Sequence, residues 1–406
     1  MRWKAPKEFW RSLRALELLR LVVMWVSIFS QCILSRRRSA KTSNMRHFTV
    51  TALTSAFLIC LICGITHGQR TIRTTSKQGS DRSKIKQDKI RKPSQRAQSI
   101  LTSTEKKGLD GAFIQLWPEM ATSMNDAQWQ DVLDAMNKAG LQIIIIQYVR
   151  HNDTDLFTSD PARFDPTEKV LTYADGHPGT QVFIGLGYDT SWYNQWRNDQ
   201  YLRTLAEKNR TLATTLWTRY GSRHASFSGW YIPQEMWNEN YTADQIKNLR
   251  ELYYASLTRH CKSLSKDKPI AVAPFFNPTE AYIGQTETPA QNAERFAELY
   301  AQLLNGSQID IVMLQDGVGA RKIEPADFKD KISPYYEAFR RLCAPRVKAL
   351  WADLEAYREI GNDKRRPAPA DRFLKQVEMF APLGDHAVTF EFFHYMNPHG
   401  HLKPPD

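Results

Sequence analysis

Eight short apolar runs alternate with longer amphipathic stretches over the last three quarters of this 406-residue chain, and that rhythm restricts the fold more than any other feature. The runs are Gly111–Trp117, Leu141–Val149, Gln181–Asp189, Phe227–Trp237, Pro269–Asn277, Ile309–Gly317, Val347–Tyr357 and His386–Met396. Ile143-Ile144-Ile145-Ile146 shows no apolar–polar alternation, which suits a strand buried on both faces, as in a parallel sheet covered by helices. The intervening segments predict helices over Asn125–Ala139, Gln195–Tyr220, Thr242–Leu264, Pro289–Leu304, Pro334–Leu342 and Pro369–Phe380, with a brief one around Pro166–Tyr173. Asn125-Asp126 and Thr242-Ala243-Asp244 read as helix starts, and Gly140 as a stop. Eight βα units in roughly 290 residues predict a single closed (β/α)₈ TIM barrel over 108–406. The alternative, an open doubly wound sheet, calls for a glycine-rich phosphate turn, and Gly185-Leu186-Gly187 lacks the third glycine. No eighth helix is evident after the last run.

The formal net charge of +12 is not spread over that barrel. Residues 1–107 hold 23 Lys and Arg against 5 Asp and Glu, whereas 108–406 hold 32 against 38. The basic excess therefore belongs to an N-terminal extension, which could touch anionic lipid, nucleic acid or an acidic polymer but reads most simply as a solvated linker. No nucleic-acid partner is expected of the mildly acidic barrel. Met45-Arg46-His47, the apolar stretch Phe48–Ile65 and the small residues flanking His67 make the three parts of a signal peptide over 45–68. A secreted, periplasmic or cell-surface location follows as an expectation. Residues 1–44 contain a second apolar run, Leu21–Leu34, short for a bilayer span. They read as an extension upstream of a true start at Met45, with an N-terminal membrane anchor as the alternative. Residues 69–107 are rich in Lys, Arg, Ser, Gln and Thr and predict a disordered basic linker, since nothing there can build a core. Only Cys261 and Cys343 of the five cysteines lie beyond the signal, on helices that are not barrel neighbours, so no disulfide is expected. No Cys/His cluster has zinc-ligand spacing, and neither a metal nor a cofactor is expected.

Barrel side chains alternate between the interior and the helical layer. Turning the bulkier aliphatic set outward leaves an inward set that ends, strand by strand, in Gln115, Gln147, Asp189, Glu235, Asn277, Gln315, Glu355 and Glu391. An apolar layer would suffer from unpaired polar groups at each strand end, whereas a ring facing a polar ligand needs them. Glu235 and Glu355 end the fourth and seventh strands, which face each other across the mouth. Cleaving a glycosidic bond needs one carboxyl to protonate the departing oxygen and another to attack or to activate water. The expected roles are acid/base for Glu235 and nucleophile for Glu355. Asp353, on the same face as Glu355, is either the true partner or a neighbour that raises the pKa of Glu355, and Glu391 is a third candidate. The plainer reading makes all of them ordinary ligand-binding acids. Trp117, Tyr188, Trp192, Trp237, Trp351 and Tyr395 fall at strand ends or just beyond, where aromatic rings can pack on the flat C–H faces of sugars; the alternative is that they cap the core. His394, His399 and His401 near the C-terminus read as a solvent-exposed group. Ser191 and Ser228 lack a nucleophile-elbow motif.

The motifs Gly111-Ala-Phe-Ile-Gln-Leu-Trp117, Gly229-Trp-Tyr-Ile-Pro-Gln-Glu235, Ala273-Pro-Phe-Phe-Asn277, Leu314-Gln-Asp-Gly-Val-Gly319 and Trp351-Ala-Asp-Leu-Glu355 resemble the domain of unknown function 4434 family, from about Gly108 to Pro398. That family is regarded as barrel proteins of glycoside-hydrolase type, so the resemblance implies a TIM barrel and a carbohydrate ligand. The fourth of these motifs places Asp316 beside Gln315 in the expected substrate-binding set. More distantly, acids ending strands four and seven are similar to the large retaining glycosidase clan, in which Asn precedes the strand-four acid where this chain has Gln234. The leading expectation is an exported hydrolase acting on a polysaccharide or oligosaccharide. The others are a non-catalytic carbohydrate-binding barrel of a cell-surface assembly, and a lyase using Tyr188 or Tyr395 as base.

Overall fold

The computed structural model describes residues 108–400 apart from 118–123, 161, 285 and 362–363. The signal, linker and extension expected within 1–107, and His401, lie outside the described residues. Among the described residues no helix is long and apolar enough to cross a membrane.

Each of the eight apolar runs contains one barrel strand. These are β1 (Gly111–Ile114), β2 (Ile143–Ile146), β3 (Gln181–Gly185), β4 (Phe227–Ile232), β5 (Ile270–Val272), β6 (Ile311–Gln315), β7 (Ala349–Glu355) and β8 (Ala387–Phe390). They close in chain order into a barrel in which every neighbouring pair is parallel. The four isoleucines of β2 pair with Gly111–Ile114 on one side and Gln181–Ile184 on the other. Ile143 and Ile145 then pack inside the barrel, with Phe113, Phe183, Tyr231, Met313 and Val388. Ile144 and Ile146 pack under the helices, with Ile114, Val182, Ile184 and Ile232. A strand with two apolar faces is what this double burial requires.

The helical layer comprises α1 (Asp126–Lys138), α2 (Pro166–Asp175), α3 (Asp199–Leu216), α4 (Ala243–Asn248, continuing through a π segment Leu249–Tyr254 into Ala255–Leu264), α5 (Pro289–Leu304), α6 (Ser333–Leu342) and α7 (Ala370–Phe380). Reciprocal capping boxes start α1 at Asn125, α4 at Thr242 and α5 at Thr288. Gly140 follows the end of α1 at φ +79°, a conformation that glycine adopts without strain. The single helix expected over Gln195–Tyr220 is divided: a turn at Trp192–Gln195 precedes α3, whose first amides are taken by Asn198. Cys261 and Cys343 are both buried and free.

Two ribbons that the apolar rhythm does not foreshadow rise from the carboxyl rim. Arg150–His151, Thr154–Asp155 and Gly187–Tyr188 form a three-stranded sheet beyond β2 and β3. Tyr357–Gly361 and Lys364–Pro367 form an antiparallel hairpin directly after β7.

Candidate active site

Strand parity decides which polar side chains reach the basin. Phe113, Ile145, Tyr231, Met313 and Trp351 point inward, so Gln115, Gln147, Glu235, Gln315, Asp353 and Glu355 share the inner face of their strands or of the extended chain just past them. Gln115 is nearly buried, and Gln147 has an Oε1 that is enclosed without a partner.

Glu235 is half-buried beyond the end of β4. Its Oε2 accepts a hydrogen bond from the Tyr193 hydroxyl at 2.6 Å and its Oε1 one from the Gln315 amide at 2.7 Å. Gln315 also donates to the Ala273 carbonyl at 2.8 Å, which fixes its amide between β5 and Glu235. The Trp192 indole donates to the Glu235 carbonyl at 2.6 Å, so the turn before α3 holds both the backbone and the side chain of the acid. Burial pushes the carboxyl up to about 7, and the Glu355 charge adds to this, while the two donors and the Arg365 guanidinium oppose it.

Glu355 is buried at the end of β7. Its Oε2 accepts from the Ala320 amide at 2.7 Å and its Oε1 from the Tyr357 hydroxyl at 2.9 Å. Ala320 lies on the short helix Val318–Arg321 that follows β6. That helix comes close because residue 319 is glycine: a Cβ there would stand 2.2 Å from the Tyr357 carbonyl and 3.1 Å from Glu355 Oε2.

Asp353 is buried below the pair, with an Oδ1 that finds no partner. Burial first, then the charges of Asp316, Glu355 and Glu235, holds its carboxyl well above the usual carboxylate range. Burial thus favours the neutral form of Asp353 at the floor of the basin. The rim above carries Arg365 on the hairpin, its guanidinium 4.7 Å from the centre of the Tyr357 ring. Tyr395 lies 5.2 Å from Tyr357 and hydrogen-bonds to Arg365. On the opposite side Tyr188 stacks on Tyr148 at 5.4 Å, and Trp117 packs 5.8 Å from His151.

Several expected members of the set lie elsewhere. Glu391 has the opposite parity to Val388, an inward residue of β8, and its buried carboxylate caps the final helical turn Phe392–Tyr395. It accepts from the Phe393 and His394 amides and binds His394 Nδ1 at 2.5 Å, so it is structural, and His394 is buried rather than solvent-exposed. Asp316 likewise points behind the barrel wall, where it accepts from the Val318 amide at 3.1 Å, the Glu355 amide at 3.2 Å and the Gln376 side chain of α7. It braces the backbone of Glu355 instead of facing a ligand. Trp351 belongs to the barrel's inner core, edge-on to Phe183 at 5.6 Å and His386 at 5.1 Å. Asp189 takes the Ser191 amide, and Asn277 takes both donors of Thr279, so each shapes a turn. Gln234 is buried on the outer face, donating to the Gly187 carbonyl at 2.8 Å and accepting from Tyr253.

Tyr193, Tyr357 and Arg365 were not among the expected residues. Tyr357 continues the inward parity of Asp353 and Glu355, and that extension alone could have found it. Tyr193 and Arg365 depend on the shapes of a loop and a hairpin.

The match to known proteins is with a family named only as a domain of unknown function (DUF4434), whose model covers residues 109–402. The chain belongs to this family. No curated protein matches the sequence. Among solved structures, a candidate α-L-fucosidase from Bacteroides thetaiotaomicron VPI-5482 is similar at 20% identity and a TM-score of 0.55, over 78% of this chain and 93% of that one. An endo-1,4-β-D-mannanase from Thermotoga petrophila RKU-1 is similar at 13% identity and a TM-score of 0.49, over 70% and 88%. A xylanase from Thermoanaerobacterium saccharolyticum follows at 15% and 0.41, over 71% and 87%. At 20% identity the likeness of this DUF4434 chain to the first of these is one of fold.

Proposed function

We propose that this protein is an exported glycoside hydrolase that cleaves a polysaccharide or oligosaccharide with retention of configuration. The observation that carries the reading is a pair of carboxyls, three strands apart around an eight-stranded barrel, in unlike surroundings. Glu235 is pushed up to about 7 and can hold a proton near neutrality. Glu355 has a backbone amide and a phenol aimed at its two oxygens, which fix the orientation of the carboxyl. Carboxyls placed in contrasting environments divide the acid and nucleophile roles between them.

In the first step the Glu355 carboxylate attacks the anomeric carbon while the glycosidic C–O bond breaks. The departing oxygen keeps the bonding electrons and takes the proton of Glu235. In the second, Glu235 removes a proton from water, whose oxygen attacks the same carbon and releases Glu355 as carboxylate. Burial and the neighbouring acids disfavour a third negative charge on Asp353. The lyase reading needs a phenol that ionises readily, yet burial and the Glu235 charge push Tyr188 up to about 12, and burial and Glu391 raise Tyr395 as well.

The test is hydrolysis of a panel of 4-nitrophenyl glycosides and oligosaccharides by the full chain, with the first-formed anomer read by proton NMR. Glu235→Gln should lower turnover about 10²–10⁴-fold and leave saccharide binding intact. Unchanged turnover would remove Glu235 from the mechanism, and binding without any turnover in the parent protein would favour a carbohydrate-binding barrel. Initial release of the inverted anomer would replace nucleophilic attack by water activation.

A further inference from the structure

A cavity of about 460 Å³ opens beside Glu235, between the chain following β3 and the loops following β4 and β5. Its volume lies within the roughly 300–1,000 Å³ that small-ligand pockets occupy. Tyr193, whose hydroxyl holds Glu235, forms one edge. Trp237, two residues beyond Glu235, forms a wall backed by Phe275, stacked at 5.7 Å and 10°. Tyr282, 40% exposed, also lines the cavity. None of the groups around Glu355 (Ala320, Tyr357, Arg365) lines this cavity.

We propose that this cavity is the leaving-group subsite and that it takes a neutral sugar residue. The inference rests on the hydrolase reading above and fixes its direction. In acid-assisted cleavage the group that receives the proton departs on the side of the acid, so a pocket joined to the pair through Tyr193, the phenol that holds Glu235, lies on the side of the half of the substrate that leaves. Two aromatic walls suit the flat C–H faces of a pyranose ring. Charge selects the class of sugar. Arg295 is held bidentately by Glu287, and Arg197 is paired with Glu239, so both cations of the lining are matched by lining carboxylates. A uronic acid would have to displace one of these partners, whereas a neutral hydroxylated ring meets donors and acceptors already in place. The bond broken is the one between the anomeric carbon and the oxygen of this sugar, which leaves as an alcohol carrying the Glu235 proton.

The experiment compares kcat/KM for the best 4-nitrophenyl glycoside with that for the matching neutral oligosaccharide, in the full chain and in Trp237→Ala and Tyr282→Phe. The nitrophenol leaving group forfeits most of the pocket, so the ratio of oligosaccharide to aryl glycoside should fall about tenfold in Trp237→Ala and less in Tyr282→Phe. An unaltered ratio in both variants, with aryl glycoside still cleaved, overturns the subsite and spares the hydrolase reading. If the parent protein cleaves nothing, the hydrolase reading fails, and titration with cellohexaose, mannohexaose, xylohexaose and oligogalacturonate decides the pocket. Saturable binding of a neutral hexaose that is lost in Trp237→Ala supports it as a neutral-sugar site. Preference for oligogalacturonate, or binding indifferent to Trp237, overturns it.

Discussion

Two buried aspartates next to the proposed catalytic pair make the sharpest tests at the scale of single residues. Asp353 has no partner for one oxygen and is held well above the usual carboxylate range by burial and three neighbouring acids, which favours the neutral acid. An amide copies that form in shape and charge. Asp353→Asn should therefore keep turnover within about threefold, whereas a nucleophilic Asp353 would lose several orders of magnitude; steady-state kinetics on the best glycoside separates the two. Asp316 acts at one remove, taking the amide of Glu355 and the side chain of Gln376. Asp316→Ala leaves the buried Glu355 amide without this acceptor and Gln376 with only its bond to the Glu355 carbonyl, a cost of about 1–3 kcal/mol that urea unfolding can read. It should also lower kcat while leaving KM nearly unchanged, because Glu355 loses its aim and the pocket does not. A fall in stability without the kcat effect would reduce Asp316 to a structural role. For Glu235 the expectation concerns pH. With its carboxyl near 7, the protonated form needed for leaving-group departure is lost as pH rises through that value, so kcat/KM should decline above about 7. A profile still flat at pH 9 would contradict the acid role.

The helix Val318–Arg321, four residues long, delivers a single amide, that of Ala320, to Glu355 Oε2. Its approach depends on Gly319, where a side chain would meet the Tyr357 carbonyl at 2.2 Å. Gly319→Ala must push this helix or the following hairpin outward. Turnover should drop about tenfold or more, with little change in global stability since the clash is local to the rim; near-parental kcat would mean that the Ala320 amide contributes nothing. The same element shows where sequence stops being informative. Long periodic segments were legible: all eight strands and the capped helices follow from burial on two faces, 3.6-residue periodicity and side chains such as Asn125 and Thr242 that take the first amides. Inward parity found Gln115, Gln147, Glu235, Gln315, Asp353 and Glu355 because alternation persists through a strand. It failed at Glu391, where the chain leaves the strand and a local cap claims the carboxylate; Asp316, which entered through the resemblance and not through parity, has its carboxylate claimed by a helix behind the wall. The hairpin carrying Arg365 has no apolar rhythm at all, since Lys364-Arg365-Arg366 is ordered by pairing with Tyr357–Gly361 and by its Tyr357 contact.

The whole barrel carries an electrostatic load at its mouth. Burial raises Glu235 and Asp316 each to about 7, and Asp353 further, so the folded state holds protons that the unfolded chain has already released above the ordinary carboxylate range. Stability from these groups is complete below about pH 4 and is lost as pH rises through their folded values. His394, raised by Glu391 against the effect of its burial, acts in the same direction above its ordinary value of 6.5. The opposite class comprises carboxylates such as Asp310, lowered by Lys262 and Lys348 despite burial, and Glu287, lowered by Arg295. Their contribution is present above the ordinary range and fades only as pH falls through their lowered values, so it is already in place near pH 5. Between pH 5 and 8, then, the raised groups alone set the slope, and thermal stability should decrease. A loss on the order of 5 °C in Tm over that interval is expected for a domain of this size. Asp353→Asn, which deletes one of the protons at stake while keeping the side chain's volume, should flatten the fall. Scanning calorimetry at constant ionic strength from pH 5 to 8 reads both. A Tm that is level or rising in the parent protein would mean that the carboxyls at the mouth are solvated and already charged at pH 5, and that the low-dielectric basin on which Glu235 depends as an acid does not exist.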